Sequence, residues 1–577
     1  MEKRFVLFIV LTFLVFIGFQ YFFQPTRTTV TQQPVAQTEY PAAAQHDDAT
    51  ASTAGGNDVA LVGEDVAMKD THAVPQRIVI DGGLYTAILD NRGGVLTSWE
   101  LKDYQASSRN DQGGIFDMIT GASWKEELYP GALMLQDDGV ATVANNEYYQ
   151  VSVEGAVPEL GEKLSLPVAI KLTLTRGDLY VEKIWNFDED NYTASLRINA
   201  TKAGKPLDGY FFMGESIGPE AEYFTSSAAR LTSVYFSGGK VRRESPPKDP
   251  SAPKRLEGDV RWAGLDMQYF SMIAIPKFPI PQFSIQATHL RQTGIDGKEF
   301  ERNLLKVMLP LNTGGSDYEA DYKLYIGPKK QENLRLSGSA DLSRVIDYGI
   351  FSLLVYPLLA ALRWINQFAH NYGVAIVILT LLISVVLFPL RLKSMLSMKK
   401  MSALQPKIKA IQDRYRQYKA TDPRKREMNQ EVMALYKQHG VNPMGGCLPL
   451  LIQMPLLIAF YSLLAYTIDL RQAPFIWWIQ DLSSKDPFYV LPIAMGLTSF
   501  ISQKLMPMSP TTDPAQAKVM MFMPLVFTFI FLNMSSGLNL YFLCSNVFQV
   551  ALQKIAERWI PKDTQPQISA KAKSKKT

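Results

Sequence analysis

The chain has 577 residues, with 59 Lys and Arg against 55 Asp and Glu, a formal net charge of +4 and 2 cysteines. That length exceeds one ordinary domain, the charge is too small to argue by itself for nucleic acid, and two cysteines cannot build a disulfide framework. A mean hydropathy of −0.04 averages over an uneven chain whose apolar residues crowd the start and the last third.

Residues 1–24 contain "FVLFIVLTFLVFIGFQYFF" after Lys3 and Arg4, close to the roughly 20 apolar residues that cross a hydrocarbon core. No A-x-A pattern follows, so the segment reads as an uncleaved membrane anchor, with a cleaved signal as the alternative. Residues 25–75 are rich in Thr, Gln, Ala, Pro and Gly and have too few large apolar residues to build a core, the composition of a flexible tether. From 76 to 335 the pattern alternates with period two, as in "LPVAIKLTLTRGDLYVEKIWNF", with turn signals at Asn91-Arg92-Gly93-Gly94 and Arg176-Gly177-Asp178. That spacing predicts a large antiparallel β-sandwich domain.

Over 337–371 the period becomes helical, with Arg363, Asn366 and Gln367 on a polar side. This predicts an amphipathic helix at the membrane interface, a further span being the alternative. A helical core over 372–560 follows, with candidate spans at 374–392, 447–468, 488–503, 519–534 and 538–552. Several fall short of about 20 residues, so they must thin the bilayer, oligomerise or border a polar cavity. Between the first two of these spans, 393–440 reads as a helical hairpin joined at Thr421-Asp422-Pro423. Its basic face comprises Lys407, Lys409, Arg414, Arg416, Arg424, Lys425 and Arg426, which either is simply solvated or meets anionic lipid or ribosomal RNA. The positive-inside rule puts this hairpin and the basic tail, 561–577, in the cytoplasm. With the anchor this makes a polytopic α-helical protein of six spans, both termini cytoplasmic and the β domain outside.

Polar residues within the spans need partners or a water-filled recess. They are Thr380 and Ser384, one turn apart, Gln453, and Asn539, Asn546, Gln549 and Gln553 near the chain's end. Ordinary hydrogen bonding between packed helices is the alternative. The five histidines, His46, His72, His289, His370 and His439, show no metal-ligand spacing, and no nucleotide or hydrolase motif occurs, so neither a metal nor another cofactor is predicted.

The stretches "NPMGGCLPLLIQMP", "LRQAPFIWWIQDLSSKDPFYVLPIAMG", "FMPLVFTFIFL" and "SSGLNLYFLCSN" closely resemble the YidC membrane protein insertase of Gram-negative bacteria, and the resemblance covers essentially the whole chain. It implies a periplasmic β super-sandwich similar to sugar mutarotases and a five-helix core shared with mitochondrial and chloroplast relatives. It also implies an insertase and chaperone of the bacterial inner membrane, without covalent chemistry. A hydrated groove, open to cytoplasm and lipid and closed to the periplasm, would receive nascent membrane proteins, alone or with the Sec translocon. The ribosome and anionic lipids are the further partners implied, and no small-molecule substrate is expected. By the resemblance, Thr380, Ser384, Gln453 and Asn546 would line the groove. Tyr541 and Phe542, and more loosely Phe527, Phe531, Leu456 and Tyr461, would mark the apolar exit path, core packing being the alternative. One departure stands out. Most members carry a basic residue five positions before the proline of "FPL", and here that position, counted from Pro389, is Ser384. Neutral hydration must then suffice, or Arg391 or Lys393 must reach inward. A solute transporter or channel is the alternative function, and a membrane-anchored carbohydrate enzyme is a second.

Overall fold

The computed structural model describes residues 73–106, 114–119, 128–153, 163–187, 191–218, 231–250, 252–293, 299–312, 320–418, 422–441, 448–505 and 514–559. The expected anchor, all but the last residues of the tether, and the basic tail lie outside the described residues. The chain divides after Val345 into a β-rich unit and a helical unit that begins at Ile346.

Among the described residues of the β-rich unit, period-two alternation becomes two sheets. The smaller runs Ile115–Asp117, Val95–Gln105, Tyr85–Asp90, Arg77–Asp81 and Lys163–Ser165 in spatial order, and the larger has fourteen strands. Along Leu179–Phe187 every second residue is buried, as a strand with one face on a core requires. The sheets pack through aromatic rings. Trp99 stacks on Tyr85 at 3.9 Å and lies 6.2 Å from Phe187 of the larger sheet, and Phe116 stacks on Phe270 at 4.3 Å. Each such ring buries about 150–250 Å², worth about 4–6 kcal/mol at ~25 cal/mol per Å². The pairing of Val79 with Lys163 is parallel, unlike the antiparallel pairing the alternation predicts. A parallel neighbour needs a long connection, and the chain supplies one before returning to this edge. Among the described residues, two short helices, α1 (Asp138–Asn146) and α2 (Gln331–Leu336), belong to this unit.

Lys183 occupies one of the inward positions of Leu179–Phe187 and is fully buried. Its Nζ donates to the carbonyls of Gly93 at 2.5 Å and Gly131 at 2.7 Å and lies 5.3 Å from the Tyr149 ring centre. Gly93 can present its carbonyl there because it adopts φ +70, and a Cβ on it would lie 2.5 Å from the Asn145 carbonyl oxygen. The lysine therefore ties the Gly93 turn of the smaller sheet to a strand of the larger one. Desolvation lowers its pKa from 10.5 to about 7. Between those two values the unfolded chain holds a proton that the folded chain does not, so this group makes stability rise with pH from about 7 to about 10.5. Replacing it, Lys183→Met, is expected to remove that rise. Thermal unfolding of the full chain, followed by tryptophan fluorescence at pH 7 and pH 10 for both proteins, measures it.

The helical unit starts later than the sequence period suggests. Ala340–Val345 is a 3₁₀ turn that stays with the β-rich unit, where Arg243 Nη2 donates to the Val345 carbonyl at 2.5 Å. After a second 3₁₀ turn, Gly349–Phe351, helix α3 runs over Ser352–Ala369. It ends at His370 in the left-handed conformation, and Asn371 caps α4, accepting from the Val374 amide at 3.0 Å. Helix α4 is continuous over Tyr372–Ala403, about 48 Å long at 1.5 Å per residue, so it extends well past any hydrocarbon core. The hairpin's first helix is thereby shortened to α5 (Gln405–Arg414), because Pro406 lacks the N–H to continue α4 and suits a new first turn. Its second helix is α6 (Arg424–Gln438), whose first amide donates to Asp422 at 3.0 Å. Met401, Leu404, Ile408, Ile411, Val432, Tyr436 and Val441 give the hairpin its own small core.

Helices α7 (Leu448–Tyr466), α8 (Val490–Leu505), α9 (Pro514–Phe531) and α10 (Ser536–Trp559) overlap the four remaining expected spans. Among the described residues, Gly349–Ala369 and Tyr372–Ala403 are both long and apolar enough to cross a membrane, whereas the apolar helical stretches Gln453–Tyr466, Val490–Leu505 and Met521–Phe531 are shorter. Helix α3 thus meets the length and composition of a span although the sequence reading places it at the interface.

Candidate functional site

The small polar face of α4 points into the bundle. Thr380 and Ser384 are buried, and their hydroxyls donate back along the helix, Thr380 Oγ1 to the Ile376 carbonyl at 2.6 Å and Ser384 Oγ to the Thr380 carbonyl at 2.7 Å. Each donor is satisfied by its own helix, and each oxygen keeps lone pairs that can accept from a guest or from water.

Two turns further along α4, Arg391 reaches across to α7, where its Nη2 donates to Gln453 Oε1 at 2.9 Å. Its Nη1 is buried with no hydrogen-bond partner among the described residues. Tyr541 on α10 lies close enough to interact with its charge. Sequence reasoning reached Gln453 through its position in a span and named Arg391 as a substitute for a missing charge. It had no way to pair the two, because the contact joins residues 62 apart.

Asn546 serves a different contact. Its Nδ2 donates to Ser499 Oγ at 2.6 Å on α8, and Gln553, two turns on, donates to the Leu505 carbonyl at 3.1 Å. These amides fasten α10 to α8, and the hydrogen bonds do not join Asn546 to Thr380, Ser384 or Gln453. Asn539, fully buried, donates to the Phe531 carbonyl at 3.1 Å and so closes the end of α9. Close packing between α8 and α9 also depends on Gly496, where a Cβ would lie 1.9 Å from Thr528 Oγ1.

Four of the aromatic residues assigned to an exit path, all but Tyr461, form one train of rings. Phe527 meets Phe531 at 6.5 Å, Phe531 meets Phe542 at 4.8 Å, and Phe542 meets Tyr541 at 5.3 Å. Tyr541 stacks at 4.1 Å on Phe460 of α7, a member the sequence reading missed because nothing in an apolar run marks one phenylalanine from the next. Tyr541 is buried, Leu456 is half-buried, and Phe527 and Tyr461 are exposed. The train therefore begins in the bundle and ends on its surface.

One end of the bundle is closed by the segment 467–489. Asn371 Nδ2 donates to the Phe475 carbonyl at 3.0 Å, and the Phe475 ring lies so near Gly373 that a Cβ there would be 2.1 Å from it. The amides of Ser536 and Gly537 donate to the Ser484 and Leu482 carbonyls at 2.7 and 2.8 Å. Two buried carboxylates shape the segment: Asp481 accepts from the Gln472 and Ser483 amides, and Asp486 from the Phe488 and Leu491 amides and from Trp478 Nε1.

At the other end, on the hairpin, Lys407, Lys409, Arg414, Arg416, Arg424 and Arg426 are exposed. Arg414 pairs with Glu431 at 2.9 Å and Arg424 stacks 4.5 Å from the Tyr418 ring centre, so these two help to fold the hairpin. The side chain of Lys425 lies outside the described residues, as does that of His289. No cluster of residues suited to hold a metal ion occurs among the described residues.

Apolar helices with buried hydroxyls, amides and a guanidinium, on one chain with a β-rich unit, define an integral membrane protein that carries a separate β domain. Comparison with known proteins makes this specific. Residues 77–361 match the YidC periplasmic domain, and residues 364–563 match the family described as 60Kd inner membrane protein. The membrane protein insertase YidC of Syntrophus aciditrophicus (strain SB) is 35% identical over 489 residues, covering 83% of this chain and 84% of that protein. That of Geotalea daltonii is 33% identical over 570 residues, covering 97% of this chain and 100% of that protein. A crystal structure of an active YidC insertase with its first transmembrane domain resolved shares 18% identity over 84% of this chain and 93% of its own, with a TM-score of 0.35. The chain belongs to the YidC family of membrane protein insertases. It is accordingly an insertase and not an enzyme, it is a bacterial inner-membrane protein with a periplasmic β-rich domain, and nothing in the comparisons supports a solute transporter or channel.

The α8–α9 contact can be tested without touching the residues above. Gly496→Ala is expected to destabilise the bundle by about 1–3 kcal/mol, and adding Thr528→Ala to recover most of that loss. The midpoint of heat-induced aggregation in detergent measures both.

Proposed function

We propose that the helical unit receives the hydrophilic end of a nascent membrane protein in a groove between α4, α7 and α10, and that Arg391 supplies the groove's positive charge. The observation that carries this reading is the pairing of Arg391 with Gln453 while its other terminal nitrogen stays buried and unbonded. A guanidinium in that state is poorly compensated for its lost hydration, and an incoming carboxylate would complete it. Ser384 stands where most relatives place a basic residue. Arg391, seven residues on and hence about 10 Å along the same helix, restores the charge nearer the cytoplasmic mouth.

In this reading Thr380 and Ser384 keep the deeper part of the groove wet through their free lone pairs. The guest's apolar segment leaves along Tyr541, Phe542, Phe531 and Phe527, with Leu456 and Tyr461 at the margin. Asn546 has a supporting part, holding α10 against α8. The 467–489 segment is the periplasmic seal, which lets a polar tail enter the groove from the cytoplasm without opening a channel. Burial of the guest's apolar helix in lipid supplies the driving free energy, and no nucleotide is needed.

The topology we propose has six spans, both termini in the cytoplasm and the β domain, a super-sandwich over 76–335, in the periplasm. It rests on the basic hairpin and tail. On the hairpin, Lys409, Arg416 and Arg426 are the residues we assign to anionic lipid or to the ribosome, since Arg414 and Arg424 already have partners within it. Work beside the Sec translocon and a chaperone role are part of the same proposal.

The test is insertion of a single-span protein with an acidic leading tail, made in a cell-free system, into liposomes containing only this protein and scored by protease protection. Arg391→Gln is expected to lower protection about tenfold, the loss of one charge-assisted contact of about 1.4 kcal/mol. Ser384→Arg in the Arg391→Gln background is expected to restore it, and a substrate with a neutral tail to be little affected. Equal loss for acidic and neutral tails would sink the charge assignment.

A further inference from the structure

Arg363, which the sequence places on the polar side of α3, reaches out of its own helix. Its Nε donates to Asp469 Oδ2 at 2.7 Å, in an ion pair whose side chains are 26% and 10% exposed. Asp469 sits in a 3₁₀ turn, Ile468–Leu470, that follows α7, with Ile468 and Leu470 buried on either side of it. The pair therefore joins α3 to the root of the 467–489 segment. From that root the segment is built by its own contacts. The Gln472 amide donates to Asp481 Oδ1 at 3.0 Å, and the Leu482 amide to the Ala473 carbonyl at 3.0 Å. The Leu482 carbonyl in turn holds Gly537 at the start of α10, and Phe475 packs on Gly373 at the start of α4. The placement of Asp469 is thus passed on through the segment to both helices.

Beside the ion pair, α3 and the segment are not close-packed. A cleft of about 410 Å³, with Asn366, Asp469, Ala473 and Pro474 in its lining, opens between them. The ion pair spans what apolar packing does not fill there, and the segment has room to shift. Backbone strain favours such a shift. Gln472 and Trp477 hold φ of +58 and +43, in the left-handed region that is costly for a non-glycine residue and persists only where the surroundings impose it. The helix at the other end of the pair is firm, because Val355, Leu359, Leu362 and Ile365 are buried along one face of α3. A strained segment is therefore held, through one carboxylate, from a helix that is itself well packed.

We propose that Arg363 is a positioning residue for insertion: paired with Asp469, it holds the 467–489 segment shut across the end of the bundle, so that the groove admits a polar tail without becoming a pore. The inference rests on the reading of that segment as the seal, and it adds that the closure is set from α3. Arg363 touches no guest and acts through Asp469. Removing either partner leaves the other charge uncompensated at the segment's root and lets the strained backbone at Gln472 and Trp477 relax. The bundle then spends more of its time with Phe475 lifted from Gly373, and small ions cross.

The test uses the full chain in liposomes without any nascent protein, loaded with a dye that chloride quenches, with potassium and valinomycin present to balance charge. The rate of quenching after chloride is added outside reads the leak, and the parental protein is expected to leak little. Asp469→Asn and Arg363→Gln are each expected to raise the rate about tenfold, since one contact between charged groups shifts a two-state equilibrium by about a decade. The exchange Arg363→Asp with Asp469→Arg is expected to bring most of that rise back down. Phe475→Ala, which removes the ring packed on Gly373, is expected to leak as the open control. If one single variant does not fold, the other and the exchange decide the matter. A lowered thermal midpoint without a leak in the Arg363 and Asp469 variants, while Phe475→Ala leaks, overturns the proposal and leaves the seal standing. So does an exchange that leaks as much as the single variants. No leak from any variant, Phe475→Ala included, overturns the seal and this inference together.

Discussion

Hydrocarbon supplies no hydrogen bonds, and the arrangement of the helical unit follows from that. Every polar group carried into the bundle must find a partner within the protein or keep water beside it. Thr380 and Ser384 meet the requirement with their own helix, Asn546 and Gln553 with the neighbouring α8, and Asn539 with the end of α9 through its Nδ2 alone, its Oδ1 staying buried without a partner among the described residues. Arg391 meets it halfway, through Gln453 alone. A charged group that is half satisfied in a medium without water is where a guest carries the most weight, and so the functional reading converges on Arg391 and not on the neutral Asn539 or the hydroxyls that first attract notice.

The same accounting governs the β-rich unit, with a different outcome. Lys183 is buried among aromatic and aliphatic side chains, and two backbone carbonyls accept from it. Desolvation lowers its pKa to about 7, so the amine can be neutral there, which an arginine could not be. One buried cation is thus relieved by losing its proton and tying two sheets together. The other keeps its charge and is left open on one side.

Much of the architecture is legible in the sequence. Alternation along 168–187 foretold strands, the glycines of Asn91-Arg92-Gly93-Gly94 and Arg176-Gly177-Asp178 foretold their turns, and helical overlap with the later candidate spans followed from apolar runs. The site was legible in part. A small polar face on α4 could be read from Thr380 and Ser384 because side chains four apart share a helix face. Lys183 could have been found as a charged residue at an inward register position of a strand. Phe460 could not, since it is one apolar residue in an apolar helix. The extent of α4 and the 3₁₀ turn that holds Ala340–Val345 with the β-rich unit could not be read in advance, because helix limits depend on Pro406 and on contacts such as Arg243 with Val345.

By itself, then, the sequence determined the kinds of element, their order and the chemical character of each face, because these depend on periodicity and on residues close together in the chain. Its long motifs also determined the family. Only the tertiary structure decided which polar groups are spoken for. That Asn546 belongs to Ser499, that Arg391 belongs to Gln453 and still lacks a partner, and that Phe475 seals Gly373 are matters of contact between residues tens to a hundred positions apart. No local pattern encodes those distances, and they separate a polar residue that holds helices together from one that waits for a guest.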